Sequence, residues 1–325
     1  MTYGTIGTSL ITDEFIQGAK LIDGLELTAV YSRNLEKGLV FSQKYGVQTV
    51  FTNLEQMASS DMIDAVYIAS PNALHYEQSK LFLEHGKNVL CEKPITVTSS
   101  QLKELINLAK QKNLVYIEAI MMLHLPARLL LQNSLHKIGN ITTVRFDFSQ
   151  LSSKYQSYLN GDLPNIFNPK FATGCLMDIG VYCIYPAIDL FGIPQKIVTT
   201  ACFLTTGADG YGNSIFLYKD KQINLSYSKI GQSRLGSEII GDKGTIIIES
   251  ISRLANIKIV FNDGSEESIT GDIPKHVLMS GEANSFYNYV TNIIKYEKEY
   301  QYACDLSVKV CEVMEIMREQ SNIKF

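Results

Sequence analysis

The first 120 residues alternate between short apolar runs and stretches with helical periodicity. The β-prone runs are Thr2–Ile6, Glu26–Tyr31, 64–69, 88–91 and 114–118. Between the first two runs, Phe15, Ile16 and Ala19 recur at the spacing of one helix face. Strands that alternate with helices predict an α/β fold with a doubly wound parallel sheet, here of the Rossmann type and spanning residues 1–119.

The periodicity changes after about residue 140. Apolar residues then alternate with polar ones along 144–148, 223–227 and 257–261, and turn residues stand at Asp220 and Asp263. This pattern predicts a C-terminal α+β domain, residues 120–325, with an open and mostly antiparallel sheet that is covered on one face. Tyrosines and small residues on the other face would suit a second subunit, so we expect a homo-oligomer, a dimer, through this sheet.

Composition narrows the function classes. The chain has 325 residues, 46% of them hydrophobic, and a formal net charge of −4, which favours neither a nucleic acid nor an anionic membrane as partner. We expect no membrane span, because no run approaches about 18 apolar residues, and the start is not of the signal-peptide type. The six cysteines form no C-x-x-C, and no histidine cluster accompanies them. We therefore expect a cytoplasmic protein without a zinc site.

A candidate cofactor loop follows the first strand, where a glycine turn leads into a helix. Backbone N–H groups at such a helix start bind pyrophosphate. The match to G-x-G-x-x-G is poor, since Ser9 and Thr12 replace the second and third glycines. The cofactor-binding residues predicted here are Gly7, Thr8, Ser9, Leu10 and Ile11.

The end of the second strand bears on the choice of cofactor. An NAD site usually places an acidic residue there to hold the ribose hydroxyls. This chain instead has Ser32 and Arg33, and a guanidinium pairs well with a 2′-phosphate. We predict NADP as the cofactor, with NAD as the alternative. A solvated arginine at a strand end remains the competing interpretation of Arg33.

Two further groups of polar residues follow buried strands of the same sheet. The carboxyl ends of parallel strands line one edge, where open α/β sheets bind ligands. The predicted cofactor-binding residues at this edge are Ala69, Ser70, Pro71, Asn72, His75, Glu92, Lys93 and Pro94. Lys93 is also a candidate for chemistry, although a surface Glu-Lys pair before a turn is the simpler alternative.

The segment 173–182 interrupts the strand pattern of the second half. It opens on Gly174 and reads as an apolar helix through Tyr185, which would put Asp178 and Tyr182 on one face at i, i+4 spacing. A carboxylate and a phenol on an apolar face need partners or a ligand. A buried Asp-Tyr hydrogen bond without catalytic function is the alternative.

Taken together, these motifs resemble the glucose–fructose oxidoreductase / inositol dehydrogenase / rhizopine catabolism family (Gfo/Idh/MocA). The marks are Glu92-Lys93-Pro94 and the segment 174–182, supported by Pro71-Asn72 with His75 and by Glu118-Ala119. Many members have a histidine where this chain has Tyr182. In that respect the chain is similar to the branch that holds dihydrodiol and aldose dehydrogenases.

The resemblance implies hydride transfer between a nicotinamide and a carbinol or carbonyl carbon of a sugar, cyclic polyol or related diol. It implies that Lys93 is catalytic and orients the reacting oxygen, that Tyr182 carries the proton, and that Asp178 positions the substrate or Lys93. The segment 123–126 departs from the family's usual Arg-Phe-His-Pro, so the substrate does not transfer. Two alternatives stay open: a non-catalytic NADP sensor or regulator, and an NAD-dependent glycosidase on the same fold.

Overall fold

The computed structural model describes the whole chain, Met1–Phe325, which divides into two compact units. Unit 1 comprises Met1–His124 and Pro274–Val308, and unit 2 comprises Leu125–Ile273 and Lys309–Phe325. The domain boundary that we place between residues 119 and 120 stays a prediction. A segment from the far end of the chain, Pro274–Val308, groups with unit 1, which the local pattern gave no reason to expect.

The strands, in chain order, are β1 (Thr2–Ile6), β2 (Glu26–Tyr31), β3 (Thr49–Phe51), β4 (Ala65–Ile68), β5 (Asn88–Glu92), β6 (Tyr116–Ala119), β7 (Ile141–Ser149), β8 (Lys196–Phe203), β9 (Asp209–Leu217), β10 (Gln222–Ser228), β11 (Ser237–Gly241), β12 (Gly244–Ser250), β13 (Ala255–Phe261) and β14 (Glu266–Ser268). The α-helices are α1 (Leu10–Ala19), α2 (Leu35–Gln43), α3 (Leu54–Ala58), α4 (His75–Glu84), α5 (Ser99–Gln111), α6 (Pro126–Ser134), α7 (Tyr155–Leu159), α8 (Val181–Phe191), α9 (Lys275–Thr291) and α10 (Ile293–Ser321).

Unit 1 is built on a six-stranded sheet with the order β3-β2-β1-β4-β5-β6, and every neighbouring pair is parallel. This arrangement confirms the predicted doubly wound parallel sheet. The strand order reverses between β1 and β4, and open α/β sheets bind ligands at the carboxyl edge beside such a reversal. The loops after β1 and β4 are therefore the first places to search for a cofactor site.

Local sequence accounts for several helix boundaries in unit 1. The Asn34 side chain caps α2 by accepting the Lys37 backbone N–H at 2.9 Å. Thr98 and Gln101 form a capping box at the start of α5. α9 packs against α1, and Gly18 permits the close approach, because a Cβ there would lie 2.6 Å from the His276 carbonyl oxygen. The C-terminal segment thus covers the helix that follows the first strand.

Unit 2 is built on an eight-stranded sheet with the order β14-β13-β12-β11-β7-β10-β9-β8. Only the β7–β10 pair is parallel, which confirms the predicted, mostly antiparallel sheet. Along β10 the buried residues are Ile223, Leu225 and Tyr227, as the alternation predicts. The helical segment 176–191 packs against β7 and β10 and covers this face.

Two features of the helical segment of unit 2 were not expected. Leu176–Gly180 is a π-helical turn and α8 begins at Val181, so the predicted apolar helix through Tyr185 is present but opens on a π turn. Pro169–Phe191 is also apolar and long enough to match a membrane span, with a mean hydropathy of 1.4, although we expected no such run. Most of this segment is buried in the protein, so its apolar side chains belong to the core of unit 2 rather than to a membrane span.

Candidate active-site residues

The loop after β1 can be built only with a glycine at position 7. Gly7 has φ +110°, and a Cβ there would lie 2.6 Å from the Ala69 carbonyl oxygen of the loop after β4. The Ala69 N–H also donates to the Ile6 carbonyl at 2.8 Å. The two loops at the strand-order reversal are thus in contact, and the turn brings the backbone of residues 7–11 to the predicted edge.

Helix α1 offers uncapped backbone donors at this edge. Ser9 is the N-cap residue, in an extended conformation, and its side chain makes no capping hydrogen bond. The buried Thr12 hydroxyl, which stands where the fingerprint has its third glycine, has no hydrogen-bond partner. A tight glycine turn followed by an uncapped helix start fits the pyrophosphate of a dinucleotide. The residues present therefore fit the nicotinamide cofactor that the fold implies.

The negative charge of Asp13, in the first turn of α1, is compensated by neighbouring side chains. Its carboxylate pairs with the Lys44 ammonium at 2.9 Å and accepts a hydrogen bond from the Tyr45 hydroxyl. Both partners come from the end of α2 and the turn after it, on the side of the neighbouring strand β2. The repulsion of a bound phosphate by Asp13 is accordingly reduced.

Ser32 and Arg33 lie at the carboxyl end of β2. The Ser32 hydroxyl donates to the Asn34 carbonyl at 2.8 Å, which holds the turn before α2. Arg33 is exposed and forms no ion pair in the structure. Its role in selecting NADP stays a prediction.

The Glu92-Lys93-Pro94 loop is held in place by hydrogen bonds on both sides of Lys93. The Glu92 carboxylate accepts the Tyr67 hydroxyl at 2.6 Å and the Lys93 backbone N–H at 3.2 Å. Beyond the cis Lys93–Pro94 bond, the Glu118 carboxylate accepts the Ile95 N–H at 2.9 Å. The motif residues around Lys93 thus form a rigid support for a half-buried lysine.

His75 belongs to this support. Its side chain is fully buried, with Nδ1 2.9 Å from the Pro94 carbonyl oxygen and Nε2 2.8 Å from the Ser70 carbonyl oxygen. Burial lowers the pKa of His75, the two carbonyl groups oppose that shift, and the Lys93 charge lowers the pKa further. We predicted that His75 contacts the cofactor, and that role stays a prediction; in the structure its imidazole lies between the loops after β4 and β5.

A second buried carboxyl group lies near Glu92. Glu282 of α9 is 1% exposed, and neither of its oxygens has a hydrogen-bond partner. Burial raises the pKa of Glu282 well above its usual range, and the Glu92 charge raises it further, against the opposing effect of Lys275. Burial also raises the pKa of Glu92, while Lys93 opposes that shift. The surroundings of Glu282 therefore favour its neutral, protonated form.

In unit 2 the two predicted residues, Asp178 and Tyr182, stand on consecutive turns of the helical segment. Asp178 lies in the π turn and accepts a hydrogen bond from the Lys229 ammonium, which follows β10. Tyr182 lies in the first turn of α8, and its ring packs edge-on against Phe148 of β7, with ring centroids 5.5 Å apart. The phenol is thus oriented by the covered face of the sheet.

The start of the π turn is anchored by a buried carboxylate on β9. Asp209 is 0% exposed, and its Oδ2 accepts the Leu176 N–H at 2.7 Å. A Cβ at position 174 would lie only 1.9 Å from the other carboxylate oxygen of Asp209, so position 174 requires glycine. Burial raises the pKa of Asp209 to about 6, against the opposing effects of its backbone hydrogen bonds and Lys229.

Unit 1 thus brings together the glycine loop, the loop after β4 and the Lys93 loop, while Asp178 and Tyr182 belong to unit 2. Sequence reasoning missed Lys229, Asp209 and Glu282. A signal for Lys229 was present, since the alternation of Ile223, Leu225 and Tyr227 places position 229 on the covered face. For Asp209 and Glu282 no local signal existed, because Asp209 binds the distant Leu176 N–H and Glu282 is buried only by tertiary packing.

Comparison with known families identifies the class. The profile of the "Oxidoreductase family, NAD-binding Rossmann fold" (GFO_IDH_MocA) matches residues 1–120, and that of the "GFO/IDH/MocA C-terminal domain" matches residues 133–247. The chain therefore belongs to the Gfo/Idh/MocA family of oxidoreductases. The resemblance drawn from the motifs is confirmed.

The chain is similar to two curated relatives over most of its length. It is 40% identical over 323 residues to scyllo-inositol 2-dehydrogenase (NADP(+)) IolU of Bacillus subtilis (strain 168), covering 99% of this chain and 98% of the relative. It is 29% identical over 255 residues to trans-1,2-dihydrobenzene-1,2-diol dehydrogenase of Xenopus laevis, covering 76% and 75%.

A solved structure supports the fold. KijD10, a 3-ketoreductase from Actinomadura kijaniata in complex with TDP-benzene and NADP in an open conformation, superposes with a TM-score of 0.84. The match covers 99% of this chain and 98% of that one at 20% sequence identity. At this identity the likeness concerns the fold alone.

Proposed function

We propose that the protein is an NADP-dependent oxidoreductase that interconverts a secondary alcohol and a ketone on a sugar, cyclic polyol or related diol. The observation that carries the proposal is the near full-length match to an NADP-dependent inositol dehydrogenase. The rigid loop around Lys93 at the carboxyl edge of a Rossmann sheet is the structural feature that supports it.

The cofactor is assigned to the edge beside the strand-order reversal. Residues 7–11 and the start of α1 would hold the pyrophosphate, and Ser32 with Arg33 would hold the 2′-phosphate. The loops 69–72 and 92–94 would line the nicotinamide ribose. When bound, this cofactor supplies the hydride acceptor for oxidation of the alcohol, or the hydride donor for the reverse reaction.

The chain's own groups handle the proton. An alcohol that gives up a hydride must also lose its hydroxyl proton, and we assign that proton to the Tyr182 oxygen. A free phenol has a pKa of about 10, so it needs a nearby positive charge to act as a base at neutral pH. Lys93 supplies that charge and polarises the reacting oxygen, and Asp178 orients the substrate through its hydroxyl groups.

The oligomeric state and the cellular location are part of the same proposal. The uncovered face of the unit 2 sheet exposes apolar side chains on its β8–β9 edge, among them Val198, Phe203 and Tyr211. Such a face suits a second copy of the chain, so we propose a homodimer through this sheet. The free thiols of all six cysteines fit a reducing, cytoplasmic location.

The test is a screen of inositols, sugars and small diols with NADP, followed by NADPH absorbance. Substrate-dependent formation of NADPH is the expected result. Binding of NADP without any absorbance change across the panel would favour a non-catalytic sensor. Cleavage of a glycoside with no net redox change would favour the glycosidase alternative. Light scattering tests the dimer, and a monomeric mass would overturn that part.

A further inference from the structure

Lys229 occupies a fixed and unusual position in unit 2. It is 7% exposed and directly follows β10, on the covered face of the sheet. Its backbone N–H donates to the Gly210 carbonyl at 2.9 Å, and its own carbonyl accepts the Ser152 N–H at 2.9 Å. These bonds to two different segments fix the direction in which the side chain leaves the backbone.

The Lys229 ammonium is directed at the helical segment that carries the predicted catalytic residues. It donates a hydrogen bond to Oδ2 of Asp178, and its side chain is 9% exposed against 25% for Asp178. The lysine is therefore the inner member of the pair, and the carboxylate is the outer member. A lysine buried to this extent costs desolvation energy unless a negative group compensates it.

A second carboxylate shares this lysine. Asp209 anchors the start of the π turn through the Leu176 N–H at 2.7 Å, and it lies within electrostatic reach of Lys229. The Lys229 ammonium thus interacts with two carboxylates. Asp209 binds the start of the π turn, and Asp178 lies within that turn. Loss of the cation would favour the protonated form of both.

We propose that Lys229 is a positioning residue for the oxidoreductase reaction: its ammonium keeps the Asp178 carboxylate ionised and oriented for the substrate hydroxyl groups. This inference rests on the proposed function, because it assumes that Asp178 contacts substrate. It adds to that function a cation of unit 2 that is distinct from Lys93. Lys229 acts on substrate binding and leaves the binding of NADP unaffected.

Other titratable groups that face Asp178 within unit 2 do not supply the positive charge. β10 contributes the buried Tyr227, and β9 contributes Asp209. The helical segment itself contributes Cys175 and Tyr182. Burial raises the pKa of Tyr227 and of Cys175, so both are neutral at neutral pH. Among these groups of unit 2, Lys229 alone is a cation.

The variants Lys229→Met and Lys229→Arg separate charge from bulk. With a substrate found in the screen, Lys229→Met is expected to lower kcat/KM roughly 10- to 100-fold, mainly by raising KM, since a charge-assisted interaction is weakened. The acid limb of the pH profile of kcat/KM should move up by about one pH unit or more, because Asp178 is then protonated more easily. Lys229→Arg should retain the wild-type limb.

Lys221→Met is the matched control. Lys221 pairs with Asp220 at 2.6 Å at the opposite end of β10, in the same sheet, away from Asp178. This variant should leave KM and the pH profile unchanged. All variants should bind NADP with wild-type affinity in a fluorescence titration.

A double-mutant cycle with Asp178→Asn and Lys229→Met, measured by urea unfolding, tests the pair without any substrate. The double variant should be destabilised less than the sum of the single variants. Additive effects, or an acid limb that Lys229→Met does not move, would overturn the inference. Failure of the wild-type protein to reduce NADP with any substrate would instead overturn the proposed function, while the cycle still decides on the pair.

Discussion

His75 and Pro94 are joined by a buried contact of 2.9 Å between Nδ1 and the proline carbonyl oxygen, so a helix after β4 holds the loop after β5. The same imidazole reaches the Ser70 carbonyl at 2.8 Å. The two loops that follow neighbouring strands are therefore connected through one side chain. Lys93, which directly precedes Pro94, takes its position from this connection.

Replacement of His75 by alanine should destabilise the protein and displace Lys93. The change removes the imidazole that lies between two carbonyl groups, one of which receives its N–H, and opens a cavity, which together cost about 2–4 kcal/mol of unfolding free energy. Urea unfolding measures this loss, and NADPH formation should fall in parallel. The control is His85→Ala, whose side chain is 28% exposed at a helix end. An equal loss in both variants would contradict the supporting role.

His75 should also affect how the free energy of unfolding depends on pH. Because burial lowers the pKa of His75 in the folded protein, the unfolded chain binds its proton more readily. This contribution to stability is complete above a pH of about 6.5 and decreases as the pH falls towards the folded pKa, by about 1.4 kcal/mol per pH unit. His75→Ala should lack that part of the slope in urea unfolding at a series of pH values.

Gly7→Ala should abolish cofactor binding. The new Cβ would lie 2.6 Å from the Ala69 carbonyl oxygen, so the turn must open and the start of α1 must move. Gly46→Ala is the control, since Gly46 also has positive φ, +73°, but nothing lies within 4 Å of its Cβ position. Both variants should lose about 1 kcal/mol of stability from backbone strain. Fluorescence titration with NADPH should show a loss for Gly7→Ala only.

Arg33→Ala should reduce the preference for NADP over NAD. Loss of a bidentate contact to the 2′-phosphate costs about 1.5–3 kcal/mol, or roughly 10- to 100-fold in affinity for NADP, and leaves NAD affinity nearly unchanged. The exposed Lys37→Ala, one turn into α2, controls for a general loss of positive charge. Equal affinities of the unmutated protein for the two cofactors would refute the assignment.

Glu282→Gln should make the protein more resistant to alkaline pH. The folded protein holds the Glu282 proton more tightly than the unfolded chain, because burial and Glu92 raise its pKa. Its contribution is complete below a pH of about 4.3 and decreases as the pH rises, by about 1.4 kcal/mol per pH unit up to the folded pKa. Glutamine resembles the neutral acid and should remove this slope in urea unfolding.

The exposed Glu297→Gln is the control for the loss of a carboxylate on the C-terminal helices. It should retain the slope of the unmutated protein. Parallel stability curves for the wild type and Glu282→Gln between neutral and alkaline pH would show that Glu282 is not the group responsible.

Much of the fold could be predicted from the sequence, because the patterns that indicate its strands and helices are local. The apolar runs of unit 1 and the alternation of Ile223, Leu225 and Tyr227 follow from strand geometry, and Asn34 caps its helix within three residues. The π turn at Leu176–Gly180 was not readable, since its composition is the same as that of an apolar α-helix. It depends on Asp209, which lies more than 30 residues away and anchors the Leu176 N–H.

Some residues of the candidate site could likewise be predicted from local sequence, and others could not. Lys93 and Gly7 were found because proline and glycine at strand ends impose local geometry that sequence shows. Lys229 and Glu282 were missed because a charged residue in a sequence is normally solvated, and only tertiary packing makes it buried. The burial of His75 was not predicted for the same reason, because it comes from two loops that meet only in the fold.

The most direct test of the account is the turnover of Tyr182→Phe with NADP and the best substrate of the screen, followed by NADPH absorbance. The variant keeps the ring that packs on Phe148 and loses only the hydroxyl. The account predicts a loss of about 100-fold or more in kcat with unchanged NADP affinity, while the exposed Tyr211→Phe retains full activity. Wild-type turnover by Tyr182→Phe would contradict it.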